Sequence, residues 1–234
     1  MIAHPPSIFE ALADHVPQLF QTLLVATLLV LLISWAVRRE IAKSADGGLV
    51  PSPKLTLRGF VEVLLEAIVS LMESTIGPKW PAYLPLVGTL GFFILIANLM
   101  GLVPGLGGPT SFVETNLSWA IMAFGVSEYA AFREQGAKSY IGHLIGPVWW
   151  LAPLMFVVEV IGHFARLMSL TLRLTGNMFA DHTLVAVFLA FPVINVFVPW
   201  LFMGLGLFVA FVQAFVFAFL TIIYIGQAVA EPHH

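Results

Sequence analysis

Three charged side chains recur at seven-residue spacing along one apolar stretch: Glu159, Arg166 and Arg173. On a helix, at about 100° per residue, a step of seven drifts only about 20°, so the three share a face. Ser169, Arg173 and Asn177 add an i, i+4, i+8 line on the same side. A polar stripe of this kind suits the handling of ions or protons, because ionisable groups within a membrane face a bundle interior or a water-filled cavity. Arg173 sets the sharpest constraint. A guanidinium stays protonated at physiological pH and costs about 2.5–3.5 kcal/mol at the centre of a membrane helix on insertion scales, so it demands a counter-charge or water. Its nearest acids in sequence, Glu159 and Asp181, lie two or more turns away. The more ordinary reading of Glu159 and Arg166 is a pair that merely neutralises charge.

Other polar groups surround the stripe. His182 adds a histidine, the side-chain type whose unperturbed pKa of about 6.5 allows proton exchange near neutral pH. Helical counting points it roughly opposite Arg173, and Asp181 stands beside it. His163 lies between the faces and reads as structural. Gln213 and Tyr224, eleven residues apart, fall on nearly one face of the last apolar segment. A glutamine can hydrogen-bond an arginine without adding charge, although ordinary interhelical packing explains it equally well.

The elements that must position these groups follow from composition. Of 234 residues 59% are hydrophobic and only 10% charged, with a mean hydropathy of +0.96. Soluble domains carry roughly 25% charged residues, so the chain reads as an all-α, polytopic membrane protein. Residues 1–18 lack a basic n-region and do not read as a signal peptide, which leaves the first apolar segment as a retained span. The absence of cysteine removes disulfides and thiolate metal sites. No metal, cofactor or nucleic-acid partner is expected.

Residues 19–37 are apolar and end on Arg38 and Arg39, long enough at about 1.5 Å per residue to span. In 55–76 the spacing of Arg58, Glu62, Glu66 and Glu73 puts the charges on one face, which predicts an amphipathic helix lying in the interface. A span over 84–104 contains Asn98 as its one strongly polar interior side chain. A shorter helix over 117–132, capped by Asn116 or Ser118, contains Glu128 and is expected to pack inside a bundle. Residues 148–191 are long enough to tilt, bend or cross twice. A last long, tilted helix covers 198–227 after the breaks at Pro192, Asn195 and Pro199.

Arg38, Arg39, Lys43, Lys54, Arg58, Lys79, Arg133 and Lys138 fall on the inner side if five segments cross, leaving no basic residue in the outer loops. The positive-inside rule then puts the N-terminus outside and the C-terminus in the cytoplasm.

The run Leu170-Thr-Leu-Arg-Leu-Thr-Gly-Asn-Met-Phe-Ala-Asp-His182 resembles the signature of subunit a of F-type rotary ATP synthases. Asn98-Leu-Met-Gly-Leu-Val-Pro104 and Gln213-Ala-Phe-Val-Phe217 match in the same order, and the likeness covers about residues 55–225. It implies a stator subunit of the membrane Fo motor, not an enzyme on its own, in a bacterial plasma membrane. It implies as partners a ring of carboxylate-bearing c subunits, the peripheral-stalk b subunits and the rest of the F1Fo complex, within the lipid bilayer. Arg173 would be the essential arginine facing the ring, with Gln213 opposite it. Glu159 and His182 would serve an outer half-channel, and Ser169 and Asn177 an inner one. The chain departs from some bacterial members, which have a glutamate at the position of His182 and a histidine at that of Gly206. Asp181 stands where glycine is common.

Two other classes are weaker. A secondary transporter binding an anion at Arg173 would show repeats, and the two halves show no internal symmetry. An intramembrane hydrolase would need a base beside Ser169, but His163 is six residues away and on the wrong face.

Overall fold

The computed structural model describes residues 17–43, 56–103, 106–145, 149–189 and 198–229, with side chains at 137–149, 181–182, 184–186, 188–189, 198–200 and 202 outside the described set. Every long element is a helix: α1 (Gln18–Lys43), α2 (Leu57–Ile76), α3 (Leu84–Gly101), α4 (Val113–Ile145), α5 (Ala152–Leu189) and α6 (Val198–Val229). Among the described residues, four helices are long and apolar enough to cross a membrane: α1, α3, and the stretches Ala152–Ala180 of α5 and Met203–Val229 of α6.

The 38 residues of α5 form one continuous helix of about 57 Å, so the long apolar run is neither two spans nor a broken one. The expected helix over 117–132 is much longer. It starts at Val113 and runs on to Ile145, interrupted at Gly136, whose φ of 77° and ψ of 155° suit only glycine. Neither proposed residue caps it. Asn116 lies inside the first turns, where its Nδ2 donates to Thr110 O at 2.8 Å and to Thr175 Oγ1 at 2.9 Å. Ser118 Oγ donates back to Glu114 O at 2.7 Å. The sequence signal for a cap was therefore a tertiary tie from α4 to α5.

The helices interlock around α6, which packs on α2, α3, α4 and α5, while α4 lies against α5 and α1 against α3. One buried cluster joins Leu90, Ile94 and Ala97 of α3 to Trp119 and Ala123 of α4, Leu170 and Leu174 of α5, and Phe217 of α6. A second joins Met72 and Ile76 of α2 to Ile222 and Ile225 of α6. Alanines at these crossings let the backbones approach, the usual device where lipid is as apolar as the core. On α2 the helical charge pattern folds as counted, with Arg58 Nε donating to Glu62 Oε1 at 2.6 Å and Glu66 and Glu73 exposed.

Asn116 is fully buried. Asn116→Ala removes both donor bonds and leaves the Thr110 carbonyl unpaired, a loss of about 1–3 kcal/mol. The expected result is a lower melting midpoint of the detergent-extracted protein; an unchanged midpoint refutes the tie.

Candidate functional site

Arg173 lies between the buried and the bare side of α5. Leu170, Thr171, Leu174 and Met178 face the bundle and are buried. Ala165, Ser169, Leu172, Gly176, Phe179 and Ala180 are exposed. Arg173 lies at the border and is partly buried. The exposed face beside it is built largely of small residues at spacings of four and seven, a pattern that the sequence carried but that charge counting passed over. On α6, Phe208, Val212 and Phe215 expose a neighbouring apolar face at i, i+4, i+7.

Among the described residues no carboxylate pairs with Arg173; its Nη2 donates to Ser169 Oγ at 3.5 Å, a long bond within its own helix. Gln213 is buried, and its Oε1 accepts from Asn177 Nδ2 at 2.7 Å. The glutamine expected opposite the arginine thus holds the asparagine one turn away from it. Asn177 and Gln213 also line a small cavity with Asn98, Leu102, Gly206 and Ala210. Asn98 is 2% exposed; its Nδ2 donates to Ala210 O at 3.4 Å, and its Oδ1 has no partner among the described residues. The three amides thus meet on the Leu189 side of Arg173, where α3, α5 and α6 pack, in a small cavity otherwise lined by apolar side chains such as Leu174, Met178 and Val209.

On the other side of Arg173 the structure groups residues that the sequence left scattered. His163 Nε2 lies 3.2 Å from Glu128 Oε1 of α4 and 3.8 Å from Glu159 Oε1 of α5. The Phe124 ring stands edge-on to the imidazole, with centroids 5.4 Å apart. Arg166 lies over the Tyr224 ring of α6 at 5.4 Å, a cation–π contact rather than a pair with Glu159. Glu128 was noted in the sequence only for its presence in a short helix, and His163 only as structural. Their meeting joins positions 35 residues apart, and no local pattern announces it.

Glu159 and His182 were expected to share one outer path. In an unbroken α5 the 23 residues between them amount to about 34 Å, with Arg173 in between. Ser169 and Asn177 are likewise one turn to either side of Arg173. The side chains of Asp181 and His182 lie outside the described residues.

A family model described as "ATP synthase A chain" matches residues 19–226. The chain is 38% identical over 232 residues to "ATP synthase subunit a" of Geotalea uraniireducens, covering 99% of this chain and 94% of that one. It is 39% identical over 212 residues to "ATP synthase subunit a" of Bdellovibrio bacteriovorus, covering 91% of each. It is 44% identical over 177 residues to "ATP synthase subunit a 1" of Syntrophotalea carbinolica, covering 76% of this chain and 74% of that one.

Proposed function

The chain belongs to the ATP synthase A chain family, and from that premise we propose that Arg173 is the fixed charge past which a ring of carboxylate-bearing subunits turns, with a proton path reaching it from each side of the membrane. The chain is a subunit a of the Fo sector: a non-catalytic, multi-pass bacterial membrane protein that serves proton transport within a complex of F1Fo subunits.

The observation that carries the reading is the setting of Arg173. A permanent cation is bonded only weakly within its own helix and borders an exposed face of Ala165, Ser169, Gly176 and Ala180. Small residues let a second helix come close, and a carboxylate on that helix supplies the counter-charge that no described residue of this chain provides. A ring carboxylate arriving beside Arg173 is favoured in its ionised form, because an opposite charge in a poorly solvated site stabilises it. It therefore gives up its proton before passing, and takes another before it turns into lipid. The same cation repels a proton moving straight from one path to the other, so flow requires rotation.

The meeting of the Asn98, Asn177 and Gln213 amides supports an outer path that continues toward His182. Gln213 then acts on Arg173 through Asn177. The Glu128, His163 and Glu159 group, with Ser169 above it, supports an inner path. This assigns Glu159 to the side opposite His182. Five crossings by α1, α3, α4, α5 and α6, with α2 in the interface, place the N-terminus outside and the C-terminus in the cytoplasm. Glu128 meeting His163 inside the bundle makes a crossing by α4 tolerable despite its charge. The c-ring and the peripheral-stalk b subunits are the proposed neighbours.

Recovery of the chain in a stable complex with a small two-helix, carboxylate-bearing ring protein supports this reading, whereas solute uptake by the chain alone would support a transporter. Glu159→Gln is expected to lower ATP-driven pumping several-fold without abolishing it, since one of several proton-handling groups is lost. Unchanged pumping from about pH 6 to about pH 8 would assign Glu159 a structural role only.

A further inference from the structure

Resting on that reading of the inner path, we propose that His163 is a proton relay across the α4–α5 interface, carrying protons between Glu159 on the ring side and Glu128 on the bundle side. Two carboxylates from two helices converge on one nitrogen, Nε2, at 3.2 and 3.8 Å. The Glu159 side chain is 44% exposed, against 20% for His163 and 24% for Glu128, so the three run from an open face of α5 into the interface. Glu128 lies midway along α4, eight residues before the break at Gly136, with Arg133 and Lys138 to either side of that break.

The step balances on a single proton. Protonated Glu159 gives its proton to the bare Nε2 of neutral His163, leaving a carboxylate and an imidazolium. The imidazolium then gives the same proton to the Glu128 carboxylate, which restores the neutral ring and leaves a carboxylic acid that releases the proton to water. The 3.2 Å contact is already a hydrogen-bond distance, and the 3.8 Å contact becomes one with a side-chain shift of about 0.6 Å or more. Phe124 packs edge-on against the imidazole and holds the ring between the two acids. The charged and titratable groups around His163 are Glu128 from α4, Glu159 and Arg166 from α5, and Tyr224 of α6 beneath Arg166.

A bracket that merely ties α4 to α5 would use the same contacts, and the test separates the two. His163→Gln keeps a polar side chain of similar reach but cannot be protonated near neutral pH. Proton flux is measured in vesicles bearing the whole complex, driven by a clamped membrane potential at equal pH on both sides, and normalised to assembled complex. The relay predicts a fall of roughly tenfold, less than the about hundredfold that a positioned proton-transfer group can contribute, because water reaches Glu159 directly. Added imidazole restores the flux in the variant and leaves the wild type unaffected. Full flux in His163→Gln overturns the proposal, as does a loss that imidazole does not restore. Should His163→Gln fail to assemble, Glu128→Gln takes its place: a similar fall in flux with the complex intact supports the relay, and unchanged flux overturns it. Arg173→Ala in parallel vesicles tests the underlying reading separately, since ATP synthesis by that variant would refute the ring-facing arginine whatever His163 does.

Discussion

Vesicles whose complex carries Arg173→Ala make no ATP from a proton gradient and pump no protons when given ATP. The expectation is total loss, because the arginine does two things at once that no neighbour duplicates. In the proposed role it stabilises the ionised ring carboxylate and keeps the two proton paths from joining. The other arginine on that face of α5, Arg166, seven residues away, is engaged over the Tyr224 ring. Removing a charge that costs about 2.5–3.5 kcal/mol to embed should leave the fold intact or firmer, so assembly is expected to be normal. Leakage of protons without synthesis agrees with the loss of the barrier. Synthesis at the wild-type rate refutes the ring-facing role of Arg173.

The polar face of α5 was legible before any coordinates because its signals are local. The seven-residue spacing of Glu159, Arg166 and Arg173 fixes their common face by helical geometry alone, and the continuous helix α5 preserves it. The length of the apolar runs fixed the helical class in the same way. What failed were inferences about partners. Asn116 has the chemistry of a helix cap, but its side chain reaches Thr175 on another helix. Gln213 was matched to the arginine, yet the packing of α6 on α5 brings it to Asn177. Glu128 and His163 are each unremarkable within their own helices and meet only because α4 crosses α5 there. Glu159 and His182 lie on either side of Arg173 along one continuous helix, which the sequence spacing alone already gave.

Among the described glycines the tightest approach to backbone is at Gly108, and it predicts the largest structural effect. A Cβ at Gly108 would stand 2.8 Å from the Ala97 carbonyl oxygen, 2.8 Å from Gly101 Cα and 3.0 Å from Gly101 N. These are backbone atoms of α3 and cannot turn aside. The φ of −108° and ψ of 142° at Gly108 are open to any residue, so the restriction is one of space and not of conformation. Gly101 offers an internal comparison: a Cβ there meets the methyl of Met178, the end of a flexible side chain that can rotate away. Gly108→Ala must lift the segment carrying Pro109 and Thr110 from α3, and with it the Thr110 carbonyl that Asn116 holds. Overpacking costs about 1–3 kcal/mol even where side chains can yield, and rigid backbone neighbours place this variant at or above the upper end. Because Asn98 lies between the two contacted residues, Ala97 and Gly101, the displacement also opens the small pocket beside Asn177 and Gln213. Gly108→Ala is therefore expected to reduce both the amount of assembled complex and the synthesis rate per complex, while Gly101→Ala changes either only mildly. Equal stability of the two variants in a thermal assay of the extracted complex would show that the segment moves freely off α3, and that the pocket does not depend on it.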